Sequence, residues 1–171
     1  MSLLPPEELA YKARALAQAH PLTPLAKAYV DRAVAEQRLL QPVPEIGIWA
    51  GAGLTNGYCL RRVEEDEAGL ELVATGEAPL GVEALDTAAG AVAADLRTGR
   101  GNHVIGGDER LIAALDRIIA SEIDRRLEHW RDTVDEKGWA ELEEYITWWA
   151  VKGYAIRVAE LAQGAIAPAQ R

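Results

Sequence analysis

Glu45-Ile46-Gly47-Ile48-Trp49 and Tyr58-Cys59-Leu60-Arg61-Arg62-Val63, joined by Ala50-Gly51-Ala52-Gly53-Leu54-Thr55-Asn56-Gly57, decide how this chain is read. The outer two segments alternate in polarity, and so does Leu70-Glu71-Leu72 beyond the acidic stretch Glu64-Glu65-Asp66-Glu67. A period of two is that of a strand, and Gly and Asn-Gly supply the positive-φ positions of tight turns. Residues 45–75 are therefore expected to form a three-stranded antiparallel β meander. So small a sheet needs helices against one face.

Helical periodicity flanks this stretch on both sides. Pro5-Pro6-Glu7-Glu8 is a helix entrance with acids at the positive end of the dipole, and the helix is expected to reach His20. Thr23 as N-cap and Pro24 at the first helical position start a second helix that ends at Gln41-Pro42-Val43-Pro44. Residues 1–41 thus read as a helical hairpin. Downstream, residues 80–164 read as a helical region. Val82 to Leu96 is Ala-rich and closes at Thr98-Gly99. Glu109 to about Glu136 carries Leu111, Ile112, Leu115, Ile118, Ile119, Ile123, Leu127, Trp130 and Val134 at spacings of three and four. Lys137-Gly138 is expected to break that helix, and a last one runs from Trp139 to Gln163. Residues 165–171 are expected to fray, and no internal repeat is seen. The fold class that follows is α+β, predominantly α: about five helices in a bundle, with the meander inserted after the second.

With 49% hydrophobic and 26% charged residues in 171, the chain has ordinary globular composition, and residues 1–171 are expected to form a single domain. A net charge of −9 disfavours nucleic acid, whose binding depends on neutralising phosphates, and equally an anionic membrane. Cys59 is the only cysteine, which removes intrachain disulfides and cysteine-cluster zinc sites. The first residues lack a basic, apolar leader, and no run approaches the roughly 18 apolar residues of a membrane span. A cytoplasmic location is expected. No motif names a cofactor.

Two polar constellations are candidate sites. Glu122, Arg126 and His129 stack on successive turns of the long helix, where they form either an edge-of-core ion pair or, with Glu141 and Glu144 from the last helix, the makings of an acid/base or metal-assisted hydrolytic centre. Arg97, Arg100, Asn102 and His103 lie in a glycine-rich loop leading to a helix N-terminus, an arrangement suited to a phosphate, nucleotide or carboxylate; the alternative is a plain connector. The glycines at 51, 53 and 57 do not have the spacing of a kinase glycine-rich loop, so a hairpin turn is the reading there. Cys59 reads as a buried thiol and His20 as a boundary residue.

The last helix is apolar on two sides. Trp139, Leu142, Ile146 and Trp149 make one stripe, and Trp148, Val151, Ala155 and Val158 another. A helix greasy nearly all round is central or shared with a neighbour. Self-association as a homodimer through Trp148, Val151 and Val158 is the expected use of the second stripe. The function expected first is a non-catalytic interaction or regulatory protein, followed by a small-anion binding module, then a hydrolase using Glu122 and His129.

Overall fold

The computed structural model describes residues 3–19, 21–41, 43, 45–76, 81–100, 103–126 and 132–169, with Arg126 described by its backbone alone. The elements are α1 (Pro6–Ala17), α2 (Pro24–Leu40), α3 (Glu45–Glu67), β1 (Leu72–Ala74), α4 (Val82–Thr98), α5 (Asp108–Arg126), α6 (Glu136–Ala162) and β2 (Ile166–Pro168). Several ends follow directly from local chemistry. The Thr23 hydroxyl accepts the Ala26 N–H at 3.1 Å and caps α2, while Gly99, at φ 66°, closes α4.

The expected meander is instead largely one helix. Residues 45–67 form α3, because their glycines serve close packing rather than turns. Gly47 and Gly51 lie one helical turn apart and face α2, where Val34 lies over both. Gly53 and Gly57, again four apart, face α6. What remains of the sheet is β1, which pairs antiparallel with β2 in the register Leu72↔Pro168, Val73↔Ala167, Ala74↔Ile166. Of the tail expected to fray, 166–168 form this strand, Ala165 and Ile166 are buried, and 170–171 lie outside the described residues.

The other boundaries shift for equally local reasons. Lys137-Gly138 lies in the first turn of α6 and does not break a helix: the Gly138 N–H donates to the Asp135 cap at 2.7 Å. The preceding helix, α5, is described only to Arg126, so Leu127 and Trp130 of the expected stripe lie outside the described residues. α1 ends at Ala17, short of His20, which also lies outside them.

The chain is built twice over, contrary to the expectation of no repeat. Three helices and a strand, α1-α2-α3-β1, are followed by three helices and a strand, α4-α5-α6-β2. Gly57-Tyr58-Cys59-Leu60-Arg61-Arg62-Val63-Glu64 in α3 and Gly153-Tyr154-Ala155-Ile156-Arg157-Val158-Ala159-Glu160 in α6 share Gly-Tyr, an aliphatic residue, Arg and Glu at identical spacing. The contacts obey a two-fold rule in which i meets j and j meets i. A Cβ on Gly57 would overlap the Ala150 carbonyl, and a Cβ on Gly153 would overlap that of Leu54. The interval from Leu54 to Ala150 equals that from Gly57 to Gly153, and from Leu72 to its partner Pro168. An antiparallel pair of strands is what a two-fold axis through that pair produces.

The two long helices thus form a middle layer in which backbone approaches backbone. On one side α1 and α5 close a cluster around Leu9, Ala13, Leu60, Leu115, Ile118 and Tyr154. On the other, α2 and α4 close a second around Tyr29, Ala33, Leu54, Tyr58, Leu85 and Ile156. This central position explains why α6 is apolar around its circumference. Val151 and Val158, expected to seek a second chain, are partly buried against the first cluster. Trp148 remains 40% exposed. Among the described residues no helix is long and apolar enough to cross a membrane.

Candidate functional site

Charged residues collect at the crossing of α3 and α6. The Arg61 guanidinium donates to the Tyr154 hydroxyl at 2.8 Å, and Tyr154 in turn donates to Glu64. At the repeated position, Arg157 donates to the Tyr58 hydroxyl at 3.0 Å and grips Glu65 through Nε and Nη2. Burial raises the pKa of both Glu64 and Glu160, and also those of Tyr58 and Tyr154. Each repeated glutamate also holds the start of a peripheral helix. Glu160 accepts from the Thr23 hydroxyl at 2.6 Å at the head of α2, and Glu64 lies 3.5 Å from Arg110 in the first turn of α5. Arg61 further donates to the His103 carbonyl in the segment entering α5. Arg61, Glu64, Glu65, Arg157 and Glu160 are all buried, so this network offers a substrate no approach. Its bonds tie α3 to α6 and reach the starts of α2 and α5.

Access lies in the clefts flanking the middle layer. One cleft, of about 380 Å³, opens between α1, α2, α3 and α5. Its charged lining is Arg14 from α1, Arg38 from α2, Arg125 and Glu122 from α5. Among the described residues Arg14, Arg38 and Arg125 form no ion pair, although the chain carries nine more negative than positive charges. Gly47 admits Arg38: a Cβ there would stand 2.7 Å from the guanidinium Nε.

Asn56 sits at the base of the cleft, buried on α3. Its amide NH₂ donates to the Ala52 carbonyl at 2.9 Å and to Glu122 at 3.4 Å. Both neighbours are acceptors, so the amide cannot be turned round. Its Oδ1 is left buried without a partner, as is Arg14 Nε. Such orphaned polar atoms cost about 1–3 kcal/mol each, and are uncommon without a reason.

The expected site residues fall as follows. Glu122 is buried at this cleft, but Glu141 and Glu144, expected to face it, line a different cleft with α2 and α4. The reason is the layering: Glu122 looks onto α3, and the face of α6 bearing the two acids looks the other way. The Arg126 side chain and His129 lie outside the described residues. Among the described residues no three His, Cys, Asp or Glu side chains converge as metal ligands would. In the expected anion loop, Arg97 and Arg100 are exposed, His103 Nε2 is 3.4 Å from Asp95, and Asn102 lies outside the described residues. Arg97 instead borders a groove of about 410 Å³ with Trp148 and Val151. Arg14, Arg38, Arg125 and Asn56 escaped the sequence reading. The clue for Asn56 was the four-residue spacing of Gly53 and Gly57, which marks a helix; for the arginines, contributed by three separate helices, there was none.

No family model, curated protein or solved structure matches the chain.

Proposed function

We propose that the protein is a non-catalytic binding module for a small organic anion that also carries a hydrogen-bond donor, held in the cleft between α1, α2, α3 and α5. One observation carries this reading: three arginines without ion-pair partners among the described residues converge on one cleft of an acidic chain. Guanidinium groups suit carboxylate and phosphate through paired N–H donors. Beneath them the chemistry inverts, because the buried Asn56 Oδ1 is an acceptor without a partner. A ligand with an anionic head and a hydroxyl or amine satisfies both ends, as in a hydroxy acid or a phosphorylated polyol. The volume is at the small end of ligand sites.

The test is thermal stabilisation of the full chain by inorganic phosphate, glycerol phosphate and malate. A ligand that binds only the folded state at a hundred times its Kd stabilises by about 2.7 kcal/mol. Malate and glycerol phosphate are expected to exceed inorganic phosphate, and the response is expected to vanish in Arg14→Ala/Arg38→Ala. A response to none of the three at millimolar concentration, or one that survives the double substitution, overturns the proposal.

A further inference from the structure

A second cleft, of about 630 Å³, opens between α2, α4 and α6. Its charge is opposite to that of the arginine cleft. Arg32 and Lys152 face Glu36, Asp86, Glu141 and Glu144. Both cations are already committed: Arg32 Nε is 3.0 Å from Glu36, and Lys152 Nζ is 3.2 Å from Asp86. Glu141 and Glu144 have no ion-pair partner among the described residues.

The walls differ as well. Tyr29, Tyr145, Trp148 and Trp149 contribute four aromatic rings to this cleft. The tyrosine hydroxyls are occupied, Tyr29 donating to Asp86 at 2.6 Å and Tyr145 to Gln37 at 2.7 Å, which fixes their rings. Trp149 packs edge-on against Trp148, with centroids 4.6 Å apart. Trp149 is 6% exposed and packs edge-on against Tyr145, with centroids 6.2 Å apart. The protein already shows what Trp148 accepts, since Lys152 Nζ lies 5.5 Å from its ring centroid. That distance is within the range of cation–π attraction.

We infer that the α2–α4–α6 cleft is a second binding site, for a small organic cation such as an alkylated ammonium. The aromatic rings take the weakly hydrated cationic head, and Glu141 and Glu144 supply uncompensated negative charge. Neither inorganic cations, which keep their water, nor anions fit that combination. The site is independent of the arginine cleft, with which it shares no lining residue.

The experiment is isothermal titration of the full chain with choline and with its uncharged tert-butyl isostere. Choline is expected to bind saturably and the isostere at least about tenfold more weakly, the ratio that a cation–π contribution of about 1.4 kcal/mol gives. Trp148→Leu keeps apolar volume but removes the ring, and is expected to weaken choline by a similar factor, as is Glu141→Gln/Glu144→Gln. Arg14→Ala/Arg38→Ala is expected to leave it unchanged. Absence of binding at tens of millimolar, equal binding of the isostere, or full retention of affinity in Trp148→Leu with the fold intact overturns the inference. Failure here leaves the anion site standing, and the reverse also holds.

Discussion

The Arg61 guanidinium both donates to the Tyr154 hydroxyl at 2.8 Å and lies over that ring, 5.3 Å from its centroid. Across the crossing Arg157 does the same to Tyr58, at 3.0 Å and 5.4 Å. A repeated pair of this kind joins α3 to α6 from both ends at once. The hydroxyls are the shared point of each arm: Tyr154 donates onward to Glu64, and Tyr58 is likewise paired with Glu160. Tyr154→Phe leaves Glu64 and Arg61 both short of a partner in a buried setting, and is expected to cost about 2–4 kcal/mol. Tyr58→Phe takes a partner from Arg157 and Glu160 in the same way and is expected to cost a similar amount. Urea denaturation of the two variants measures both; a negligible loss in either would contradict this role of the hydroxyls.

The crossing itself admits no side chain at Gly57 or Gly153. Alanine at either position meets backbone, which cannot rotate away, and is expected to destabilise by more than the usual 1–3 kcal/mol of an overpacked core. Gly90 on α4 is the control. A Cβ there meets only Lys152 Nζ at an ordinary 3.7 Å, so Gly90→Ala is expected to stabilise by up to about 1 kcal/mol through helix propensity. Thermal midpoints moving in the same direction for both substitutions would refute the packing argument.

Glu160 and Glu67 should give opposite pH signatures. Burial holds the Glu160 carboxyl above the usual carboxylate range, so its favourable contribution is complete below the unfolded pKa and is lost as pH rises through the folded one. Glu160→Gln removes the penalty on the charged form. It is expected to stabilise by about 1 kcal/mol near pH 8 and to have no such benefit at pH 4. Glu67 is held low by its hydrogen bond from Arg110, so its contribution is present above the unfolded pKa and is lost as pH falls. Glu67→Gln is therefore expected to cost stability near neutrality and little in acid. Denaturation midpoints across pH for the two variants check both signs.

Cys59 is wholly buried on α3, and burial pushes its thiol pKa up to about 12. The thiolate is the reactive form, so a disulfide-exchange reagent is expected to leave it untouched at pH 8 until denaturant is added. Rapid labelling of the native chain would show that α3 opens locally.

Much of the periphery is legible from residues close in sequence. Thr23-Pro24 starts α2 and Gly99 ends α4 as the local chemistry dictates. Leu111, Leu115, Ile118 and Ile119 give the buried stripe of α5. The central layer is not legible in that way. Glycine beside alternating apolar residues favours turns and strands when only near neighbours count, and residues 45–63 satisfy that pattern. In the fold, Gly53 and Gly57 are needed because α6 passes too close for a Cβ, a requirement that lies in the partner helix. The repeat of Gly-Tyr, Arg and Glu in α3 and α6 was the available clue. It becomes visible only when helices far apart in sequence are set side by side.

The candidate sites show the same division. Arg14, Arg38 and Arg125 are surface residues of three unremarkable helical faces, and nothing in their spacing brings them together. Trp148 was legible as part of a second apolar stripe assigned to self-association, but the rings and carboxylates around it come from α2, α4 and α6. Local chemistry set the starts of α1, α2, α4 and α5 and the buried stripe of α5, because these depend on neighbours within a turn or two of helix. Tertiary structure alone decided that 45–67 is helical, that 166–168 form a strand, and that the two clefts carry opposite charge. Each of those is settled by what the opposite half of the molecule presents across the two-fold crossing.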